Sequence, residues 1–396
     1  MSEKNKKVLI LIQYLSPGGI EWMVAHLAQG LHVNHTWQPY VFVYDDNGIE
    51  PIDSFFTQKN IRFQRVQKSS GFSIKIIVKL FQLVRSEKIS VIHVHHLGAL
   101  MMASFVKLLS QFLGFKSIKI VYTQHSFIHL IRFPRYRSFE KIFCWFADQI
   151  TAVSEQVQNE FKSYGITKRP VVLIPNGSFF PKKSLVNRAE IELERTSLLT
   201  SEGIEAPPRV DEFWILYLGR IHAGKGQDLA LKVWSSLPPV VRAKTNLIFI
   251  GPVTDKAYGL KLQELISLSP QAEKIFCIQS TLQASRWMQV SNLFMSSSES
   301  EGWPMAVLEA LGSGTPALLS NIPGHQMYRS WAQYYDLKNP VLAGEKIESF
   351  RNEQNASEKF TLFRQNRWSE TESLRLQFSI EKMVLNFEKI YEGLFN

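Results

Sequence analysis

The sequence predicts an α/β protein built from two doubly wound domains, and three observations support this fold class. At 396 residues, the chain is too long for one ordinary hydrophobic core. Near-continuous runs of valine and isoleucine alternate with amphipathic segments, which is typical of parallel strands covered by helices on both faces. The alternation breaks at Ile174-Pro-Asn-Gly177 and resumes at Phe213. We therefore expect domains at residues 1–178 and 179–377, with the carboxyl edges of both sheets along a cleft.

In the first half, short apolar runs predict seven strands and helical spacing predicts five helices. The strands are Val8–Gln13, Gln38–Tyr44, Ile61–Val66, Val91–His95, Lys119–Thr123, Gln149–Val153 and Val171–Ile174. The helices are Ile20–Leu31, Ile74–Glu87, Ala99–Gly114, Ser138–Phe146 and Glu155–Tyr164. Residues 178–208 follow as a polar, proline-bounded segment that interrupts the series.

A second β/α series begins at Phe213 and runs to residue 320. Its elements are Phe213–Leu218, Ala230–Ser236, Asn246–Gly251, Leu260–Ser267, Lys274–Gln279, Ala284–Val290, Leu293–Ser296, Met305–Leu311 and Ala317–Ser320. At the end of the chain, residues 378–396 include a helix with apolar side chains at helical spacing. This helix is long enough to pack towards the first domain.

Composition describes a soluble globular protein, with 45% hydrophobic and 20% charged residues. The most apolar run, Leu97–Val106, is too short for a membrane span and predicts a buried helix. The amino terminus leads directly into Val8–Ile12 without a signal-peptide pattern, so we expect a cytoplasmic protein. Cys144 and Cys277 fall in different predicted domains and form neither a disulfide framework nor a metal site.

The net charge of +10 is concentrated in the first half of the chain, where residues 1–178 carry 21 Lys and Arg against 11 Asp and Glu. This asymmetry indicates an anionic partner for the first domain. Residues 127–146 interleave bases with aromatic side chains, which suits the surface of an anionic membrane. The alternative, a core of aromatic residues with solvated bases beside it, has equal weight. The charge asymmetry slightly favours a peripheral protein at the cytoplasmic face of a membrane.

Two glutamates between residues 298 and 316 are the main candidates for ligand binding. Glu301 precedes a helix predicted over Met305–Leu311, and Glu309 lies inside it. Pro304 fits the first turn, where its missing N–H costs nothing, and the unpaired N–H groups there form an anion site. A carboxylate on either side of a phosphate site suits a ligand with hydroxyls at both ends, such as a nucleotide sugar. The alternative is a surface glutamate and a second one paired with a nearby base.

Glycine-rich turns follow the first strand of each predicted domain. After Gly219, Arg220 ends one strand and Lys225 opens a helix, so both cations would reach one part of the cleft as a diphosphate clamp. The alternative, two solvated surface bases, is common for any single Arg and Lys. In the first domain, Gly18 and Gly19 allow close backbone approach by a ligand. Their spacing is not G-x-G-x-x-G, so a dinucleotide site is not predicted.

Histidines are concentrated between residues 93 and 129. His93 and His95 share one face of a predicted strand, but neither Cys nor a carboxylate stands near them in the sequence, so a metal site is not predicted. We expect these two to be core residues. His125 ends a predicted strand, where its side chain can reach the cleft, and it is the better candidate for a functional role.

Together these motifs resemble those of the retaining, GT-B-fold family 4 glycosyltransferases, from Val8 to about Leu394. The matching motifs are Gly18-Gly19-x-Glu21, His125, Ala147-Asp-Gln-Ile-Thr-Ala-Val-Ser154, Ile174-Pro-Asn-Gly177, Gly219-Arg220-x4-Lys225-Gly226 and Glu301-x7-Glu309. Each motif is of moderate specificity, but their order and spacing are specific. The resemblance implies two Rossmann-like domains facing across a cleft, with the C-terminal helix bridging back to the first.

The resemblance also implies roles for the matched residues. Arg220 and Lys225 would hold the diphosphate and stabilise charge on the departing nucleotide. Glu309 would bind ribose hydroxyls, whereas Glu301 and His125 would contact the transferred sugar. Further substrate-binding positions would be Gly18, Gly19, Gly219, Pro304 and the backbone amides of Met305 and Ala306.

The reaction implied by the resemblance retains anomeric configuration and uses neither a metal nor another cofactor. The donor would be a UDP-sugar or a GDP-sugar, and the acceptor a glycan or a lipid-linked glycan in polysaccharide or glycolipid synthesis. Attack would come from the same face as departure, without a covalent enzyme intermediate. The chain has no Asp-x-Asp motif in the matching place, and Asp45-Asp46 predicts a turn.

Three segments depart from the family pattern, and two other functions stay open. The departures are Phe276–Gln279, Ser291-Asn292 and Asn321–Gln326, which bear on base recognition and on contacts with donor or acceptor. One alternative is a nucleotide-sugar epimerase of the same fold, although the Glu301-x7-Glu309 and Gly219-Arg220-x4-Lys225 motifs favour transfer. The other is a nucleic-acid-binding protein, suggested by a pI of about 9.4, but the sequence contains no recognisable nucleic-acid-binding module.

Overall fold

The structure is a computed structural model that describes residues 6–15, 18–44, 52–67, 73–115, 117–204, 206–279, 281–355 and 357–395. The chain divides into two compact units. Unit 1 comprises residues 1–178 and 378–396, and unit 2 comprises residues 179–377. The predicted turn at Asp45-Asp46 and the residue before Gly18, Pro17, lie outside the described residues.

Unit 1 contains a seven-stranded parallel sheet in the order β3-β2-β1-β4-β5-β6-β7. Its strands are β1 (Lys7–Ile12), β2 (Gln38–Tyr44), β3 (Arg62–Val66), β4 (Val91–Val94), β5 (Lys119–Gln124), β6 (Gln149–Ala152) and β7 (Val171–Leu173). Its helices before residue 178 are α1 (Gly19–Asn34), α2 (Ile52–Gln58), α3 (Ile74–Ser86), α4 (Leu97–Phe112), α5 (Ile128–Arg132), α6 (Tyr136–Cys144) and α7 (Glu155–Ser163).

Unit 2 repeats this arrangement with a six-stranded parallel sheet in the order β10-β9-β8-β11-β12-β13. Its strands are β8 (Phe213–Leu218), β9 (Thr245–Ile250), β10 (Ile275–Ile278), β11 (Leu293–Ser296), β12 (Ala317–Ser320) and β13 (Gln333–Tyr335). Its helices are α8 (Arg188–Glu202), α9 (Gln227–Ser236), α10 (Pro239–Arg242), α11 (Lys256–Ser267), α12 (Ala284–Val290), α13 (Met305–Gly312), α14 (Pro340–Glu353), α15 (Ser357–Glu370) and α16 (Glu372–Gln377).

Both units are doubly wound, as the sequence predicts. In each sheet the chain builds outward from the first strand on one side and then returns to build outward on the other. The strand order therefore reverses between β1 and β4 in unit 1, and between β8 and β11 in unit 2. The central strands are buried on both faces, which explains their unbroken apolar runs: all of Val8–Ile12 and Leu293–Ser296 is buried.

Several elements differ from the sequence prediction. The polar segment at residues 178–208 contains the four-turn helix α8, which Asn187 begins by accepting a hydrogen bond from Ala189 N (2.8 Å). Because the buried face of α8 includes Arg195, the sequence of this helix lacks a clear apolar stripe. The short helices α2 and α5 were also not predicted. Predicted Ser138–Phe146 starts two residues earlier and stops two earlier, as α6.

The last helix of the chain, α17 (Ile380–Gly393), packs into the core of unit 1. Its buried side chains lie against α1 and against Trp37. The chain returns beside the Ile174–Gly177 motif, where Ser178 N donates to Phe378 O (3.0 Å) and Ile380 N donates to Ser178 O (3.1 Å). A Cβ on Gly177 would lie 2.4 Å from the Ser379 carbonyl oxygen, so this motif needs glycine for backbone packing.

Candidate functional site

In unit 2, the predicted site residues lie at the carboxyl ends of β8 and β11, where the strand order reverses. Ligands of doubly wound sheets bind at such positions because neighbouring loops leave the sheet on opposite faces. Residues 219–226 follow β8 and residues 297–304 follow β11. The backbone joins these two loops, since Glu299 N donates a hydrogen bond to Gly224 O (3.2 Å).

Two buried tyrosines hold the same two loops in place through hydrogen bonds. The Tyr217 hydroxyl accepts a hydrogen bond from Ser297 N (2.9 Å) and donates one to the Lys225 carbonyl. Tyr335 donates to the Ser297 hydroxyl (2.6 Å). Gly226 has a φ of +68°, and a Cβ there would lie 2.3 Å from Ser297 O, so this position requires glycine. The backbone around Lys225 is therefore held in one conformation.

Lys225 and Glu301 form an ion pair that joins the two loops. Lys225 Nζ lies 2.6 Å from Glu301 Oε1, and the Ser298 hydroxyl donates to the same oxygen at 2.7 Å. Burial by itself would raise the pKa of Glu301, but the charge of Lys225 and these hydrogen bonds outweigh burial and lower it. Glu301 is thus a carboxylate at neutral pH. Among the described residues, its second oxygen, Oε2, accepts no hydrogen bond.

Glu309 lies inside α13, the helix that follows the Glu301 loop. Pro304 occupies the position just before the helix, one residue earlier than the sequence predicted, and its carbonyl accepts from Val307 N (3.1 Å). The amides of Met305 and Ala306 are therefore in the first turn, where intrahelical partners are missing. Burial raises the pKa of Tyr328, and the charges of both glutamates raise it further, so both carboxylates lie near this tyrosine.

The two cations predicted to form a diphosphate clamp have different surroundings. Arg220 follows β8 and is exposed, and among the described residues its side chain makes no ion pair, whereas Lys225 is engaged with Glu301. Nothing in the described structure lies within 4 Å of a Cβ built on Gly219. The steric requirement is at Gly251 instead, where a Cβ would lie 2.1 Å from the Gly219 carbonyl oxygen.

His325 is a residue of this site that sequence reasoning did not single out. It lies in the Asn321–Gln326 segment, is fully buried, and its Nδ1 is 2.8 Å from Ser320 O. Burial lowers the pKa of His325 despite the opposing effects of this hydrogen bond and of Glu301. The loop packs directly on the Glu301 backbone, because a Cβ on Gly324 would lie 2.2 Å from Glu301 O. The departure from the family pattern therefore adds a neutral imidazole beside the ion pair.

In unit 1, Gly18 and Gly19 begin α1 at the carboxyl end of β1. Gly18 is the N-cap, and its carbonyl accepts from Trp22 N (3.1 Å). A Cβ on Gly18 would lie 2.3 Å from a carboxylate oxygen of Glu21, so glycine leaves room for this side chain to fold back over the helix start. Gly19 is exposed. The motif therefore places a carboxylate at the start of α1, at the point where the sheet of unit 1 reverses.

The histidines of unit 1 divide into a structural residue and a pair. His93 is a core residue, as predicted: its Nδ1 is 2.7 Å from the Tyr391 hydroxyl on α17 and its Nε2 is 2.7 Å from the Thr123 hydroxyl. His95 is also a buried core residue, as predicted, and in addition its Nδ1 lies 3.2 Å from Nε2 of the candidate residue His125. Burial lowers the pKa of His95 and of His125 well below the usual value.

The aromatic side chains of residues 127–146 could lie in the core or on the surface, and most of those around α6 are exposed. Phe127 and Leu130 are buried, whereas several other large apolar side chains of this segment face solvent. They are Phe133 (43% exposed), Tyr136 (36%), Phe139 (45%), Ile142 (57%) and Trp145 (81%). Arg135, Arg137 and Lys141 are exposed beside them. Glu140, on the same helix, is fully buried against Tyr122 and His129, so the exposed side of α6 is basic and aromatic.

Two properties of the described residues bear on membrane and metal binding. Within those parts of the chain, no helix is both long enough and apolar enough to cross a bilayer. The described residues also contain no group of three His, Cys, Asp or Glu side chains that could hold a metal ion.

Two family descriptions match the chain, one in each unit. Residues 17–178 match Glycosyltransferase Family 4, and residues 204–361 match Glycosyl transferases group 1. The chain belongs to the family 4 glycosyltransferases. The matched regions include the histidine pair of unit 1 and the Lys225–Glu301 pair of unit 2. This family 4 glycosyltransferase is therefore an enzyme of the transferase class.

The glycosyltransferase is also similar to a curated protein of polysaccharide synthesis. It is 25% identical over 173 residues to the O-antigen biosynthesis glycosyltransferase WclY of Escherichia coli, which is 43% of this chain and 44% of WclY. The match thus spans less than half the length of that relative.

Solved structures confirm the GT-B fold predicted for this glycosyltransferase. Anabaena Alr3699/HepE in complex with UDP-glucose has a TM-score of 0.76 at 14% identity, covering 98% of this chain and 99% of that one. WaaG, a glycosyltransferase involved in lipopolysaccharide biosynthesis, has a TM-score of 0.64 at 15% identity, covering 98% and 100%. At these identities the similarity shows the fold.

Proposed function

We propose that the protein transfers a sugar from a nucleoside diphosphate sugar to a glycan or lipid-linked acceptor in polysaccharide or glycolipid synthesis. The observation that carries this proposal is the Lys225–Glu301 pair at the carboxyl ends of β8 and β11, beside the first turn of α13. It combines a cation, a carboxylate and unpaired amides within one unit. A diphosphate bearing hydroxylated groups at both ends needs this combination.

In the proposed reaction, each group of unit 2 has a separate task. Arg220 and Lys225 stabilise the negative charge that develops on the departing nucleoside diphosphate, together with the amides of Met305 and Ala306. Glu309 accepts hydrogen bonds from ribose hydroxyls. Glu301 uses Oε1 for Lys225 and Ser298, which leaves Oε2 to accept from a sugar hydroxyl.

We propose that these side chains supply the positive charge without a metal ion and that the anomeric configuration is retained. Same-face attack suits a site whose carboxylates serve as ligands for hydroxyls, since a covalent intermediate would require a carboxylate placed as a nucleophile. His125 of unit 1 contacts the transferred sugar in this scheme, and Gly18 and Gly19 admit the diphosphate. The structures of HepE with UDP and with UDP-glucose support a uridine donor over a guanosine donor.

The experiment that tests the donor is a thermal-shift screen with UDP, GDP and ADP and their glucose or mannose derivatives. A ligand that binds only the folded state raises the midpoint, by an amount set by its concentration relative to Kd. We expect one nucleoside diphosphate to raise it more than the others and more than inorganic pyrophosphate. If no nucleoside diphosphate exceeded pyrophosphate, the nucleotide-sugar assignment would be wrong.

On the acceptor side, we propose that the exposed surface of α6 lies on an anionic membrane. Amphipathic helices bind membranes through apolar side chains at the headgroup level and bases beside them. Trp145 and Ile142 supply exposed apolar groups, and Arg135 and Lys141 supply the charge. Such contact would bring the enzyme to a lipid-linked acceptor at the cytoplasmic face.

Co-sedimentation with lipid vesicles tests this surface. We expect binding to phosphatidylserine-containing vesicles but not to phosphatidylcholine vesicles, with weakening in Trp145→Ser and Lys141→Glu. Leu193→Ser is the matched control, because Leu193 is 73% exposed on α8 of unit 2. Equal loss of binding in the control, or equal binding to both vesicle types, would contradict the proposal. Binding to DNA in preference to anionic vesicles would favour the nucleic-acid alternative.

A further inference from the structure

His95 and His125 stand at neighbouring strand ends in unit 1 and touch each other. His95 is the first residue after β4, and His125 is the first residue after β5. His95 Nδ1 lies 3.2 Å from His125 Nε2. Both side chains are buried, and their outer nitrogens, His95 Nε2 and His125 Nδ1, have no hydrogen-bond partner among the described residues. Buried polar atoms of this kind are rare and call for an explanation.

A hydrogen bond between two neutral imidazoles restricts where both protons sit. Burial keeps His95 and His125 neutral at pH 7, so each ring carries one proton. If His95 Nδ1 donates, His125 Nε2 accepts, and the proton of His125 must then be on Nδ1. If His125 Nε2 donates instead, His95 Nδ1 accepts and the proton of His95 is on Nε2. Both rings are therefore Nδ1–H, or both are Nε2–H.

The two outer nitrogens consequently act together. In either arrangement one outer nitrogen carries a proton and the other has a lone pair, so the pair always offers one donor and one acceptor. A hydroxyl group has the same two capacities, because it can donate one hydrogen bond and accept another. A ligand with neighbouring hydroxyls, such as a sugar, matches the pair whichever arrangement it adopts.

We propose that His95 is a positioning residue that sets the tautomer of His125, so that the two rings bind hydroxyl groups of the transferred sugar as one donor–acceptor unit. The coupling of the tautomers rests on unit 1 alone. The identification of the hydroxyl-bearing ligand as the donor's sugar rests on the proposed function. His93 and His96 are the titratable groups whose charge acts on both rings, and burial lowers the pKa of each, to about 3 and about 4.

His93 is not part of this unit, although its ring centroid is 4.3 Å from that of His95. Both of its nitrogens are already satisfied by Tyr391 and Thr123. His93 therefore supports the core, whereas His95 and His125 keep unused hydrogen-bonding capacity. A structural histidine in this sheet has both ring nitrogens hydrogen-bonded within the protein, whereas each histidine of the pair has one ring nitrogen left for a ligand.

Nitrogen-15 NMR of histidine-labelled enzyme tests the coupling without any substrate. We expect His95 and His125 to show the same tautomer, and His95→Phe to change the ring-nitrogen shifts of His125. His95→Asn should partly restore them, because its amide can occupy the place of Nδ1. Tyr391→Phe is the control, since it removes a partner of His93 and should leave His125 unchanged. Opposite tautomers in the wild type, or no change in His95→Phe, would overturn the coupling.

Steady-state kinetics then test whether the coupling of His95 to His125 affects sugar transfer. Losing one oriented hydrogen bond in the transition state should lower kcat of His95→Phe about tenfold, with a smaller change in KM for the donor. His95→Asn should recover part of the loss, which a purely structural role would not predict. Unchanged kcat in His95→Phe would overturn the positioning role, even if the tautomers were coupled. Failure of every nucleotide sugar to bind would overturn the proposed function and leave the NMR result standing.

Discussion

Lys225 Nζ lies 2.6 Å from Glu301 Oε1, although 76 positions separate the two residues in the chain. The contact joins the loop after β8 to the loop after β11, and Ser298 completes it from the second loop. The pair is neutral overall. Arg220, by contrast, is exposed and makes no ion pair among the described residues.

Replacing Lys225 by methionine should reverse the pH dependence that Glu301 gives to stability. In the wild type the pKa of Glu301 is lowered, so its contribution to stability is present above the unfolded value near 4.5 and is lost as pH falls. Without Lys225 the carboxylate stays buried, and burial raises its pKa. We expect the variant to be about 1–3 kcal/mol less stable at pH 7.5, with a smaller difference at pH 4.5. Urea unfolding at the two pH values measures this.

The double variant Lys225→Met/Glu301→Gln is the control for that experiment. Glutamine keeps the shape and hydrogen-bonding capacity of Glu301 but has no charge to leave unpaired. Most of the lost stability at pH 7.5 should return, and the difference between the two pH values should disappear. A loss that is the same at both pH values would mean that lysine acts through packing and not through charge.

Activity should depend on Lys225 and Glu309 in different ways. Lys225→Ala removes charge stabilisation of the departing diphosphate, so kcat should fall by a factor of about 10²–10³. Glu309→Gln keeps the side chain's shape but weakens its hydrogen bonds to the ribose, so Kd for the nucleoside diphosphate should rise about tenfold. Release of nucleoside diphosphate from the donor and calorimetric binding measure the two effects.

Matched controls are available on neighbouring helices. Lys232 is an exposed lysine of α9, and Glu345 is an exposed glutamate of α14. Lys232→Ala and Glu345→Gln should leave both measurements unchanged. Near-normal transfer by Lys225→Ala would contradict its proposed role, and an equal loss in Lys232→Ala would indicate a general effect of charge.

The parallel sheets could be predicted from the sequence because their strands are buried on both faces. Runs such as Val8–Ile12 have no polar side to interrupt them, and the pattern identifies them directly. Helix α8 could not be predicted in this way, since its buried face includes Arg195, whose guanidinium donates to the carbonyls of Val290 and Val210. A buried arginine that caps backbone carbonyls looks like a surface residue in the sequence.

The candidate site residues can be picked out one by one from the sequence, but their pairing cannot. Glu301, Glu309 and Lys225 belong to local motifs with glycine and proline at fixed offsets. The Lys225–Glu301 contact depends on which strands are neighbours in the sheet, which local patterns do not contain. His325 and His95 stand in no motif, and only their burial and unused nitrogens single them out.

Asn292, in the Ser291-Asn292 segment that departs from the family pattern, has a structural role. Asn292 Oδ1 accepts from Trp214 N (2.8 Å) and from Arg195 Nη2 (2.6 Å), and its amide donates to Gln354 Oε1 (3.1 Å). The asparagine therefore binds α8 to the start of β8. Its role is in packing, far along the sheet from the Lys225–Glu301 pair.

Arg364 gives a stability prediction of the same kind. This fully buried residue of α15 donates to the carbonyl oxygens of Leu185 (3.1 Å), Ser291 (3.1 Å) and Gln289. Arg364→Met would leave these buried carbonyls unpaired, and we expect a loss of roughly 3 kcal/mol in the free energy of unfolding. Arg209→Met, at a solvent-exposed ion pair, should cost much less. Urea unfolding compares the two variants, and equal losses would contradict the assignment.

Buried histidines should make unit 1 sensitive to mild acid. Burial lowers the pKa of His93 to about 3, and the pKa of His26 and of His96 to about 4. In the unfolded chain a histidine takes up a proton near pH 6.5, but these three stay neutral in the folded state until much lower pH. The unfolded state therefore binds more protons between about pH 6.5 and 4, and stability falls as pH falls.

The size of this effect can be measured by urea unfolding between pH 7.5 and 5, above the range where lowered carboxyl pKa values matter. Each histidine that stays neutral contributes about 1.4 kcal/mol per pH unit once the unfolded state is protonated. Burial also lowers the pKa of His95 and of His125, so these five histidines give a slope of about 7 kcal/mol per unit. His93→Asn should reduce the slope by one proton. The exposed His35 is the control, and His35→Asn, which tolerates the left-handed backbone there, should leave the slope unchanged. A slope that His93→Asn does not alter would show that acid acts on other groups.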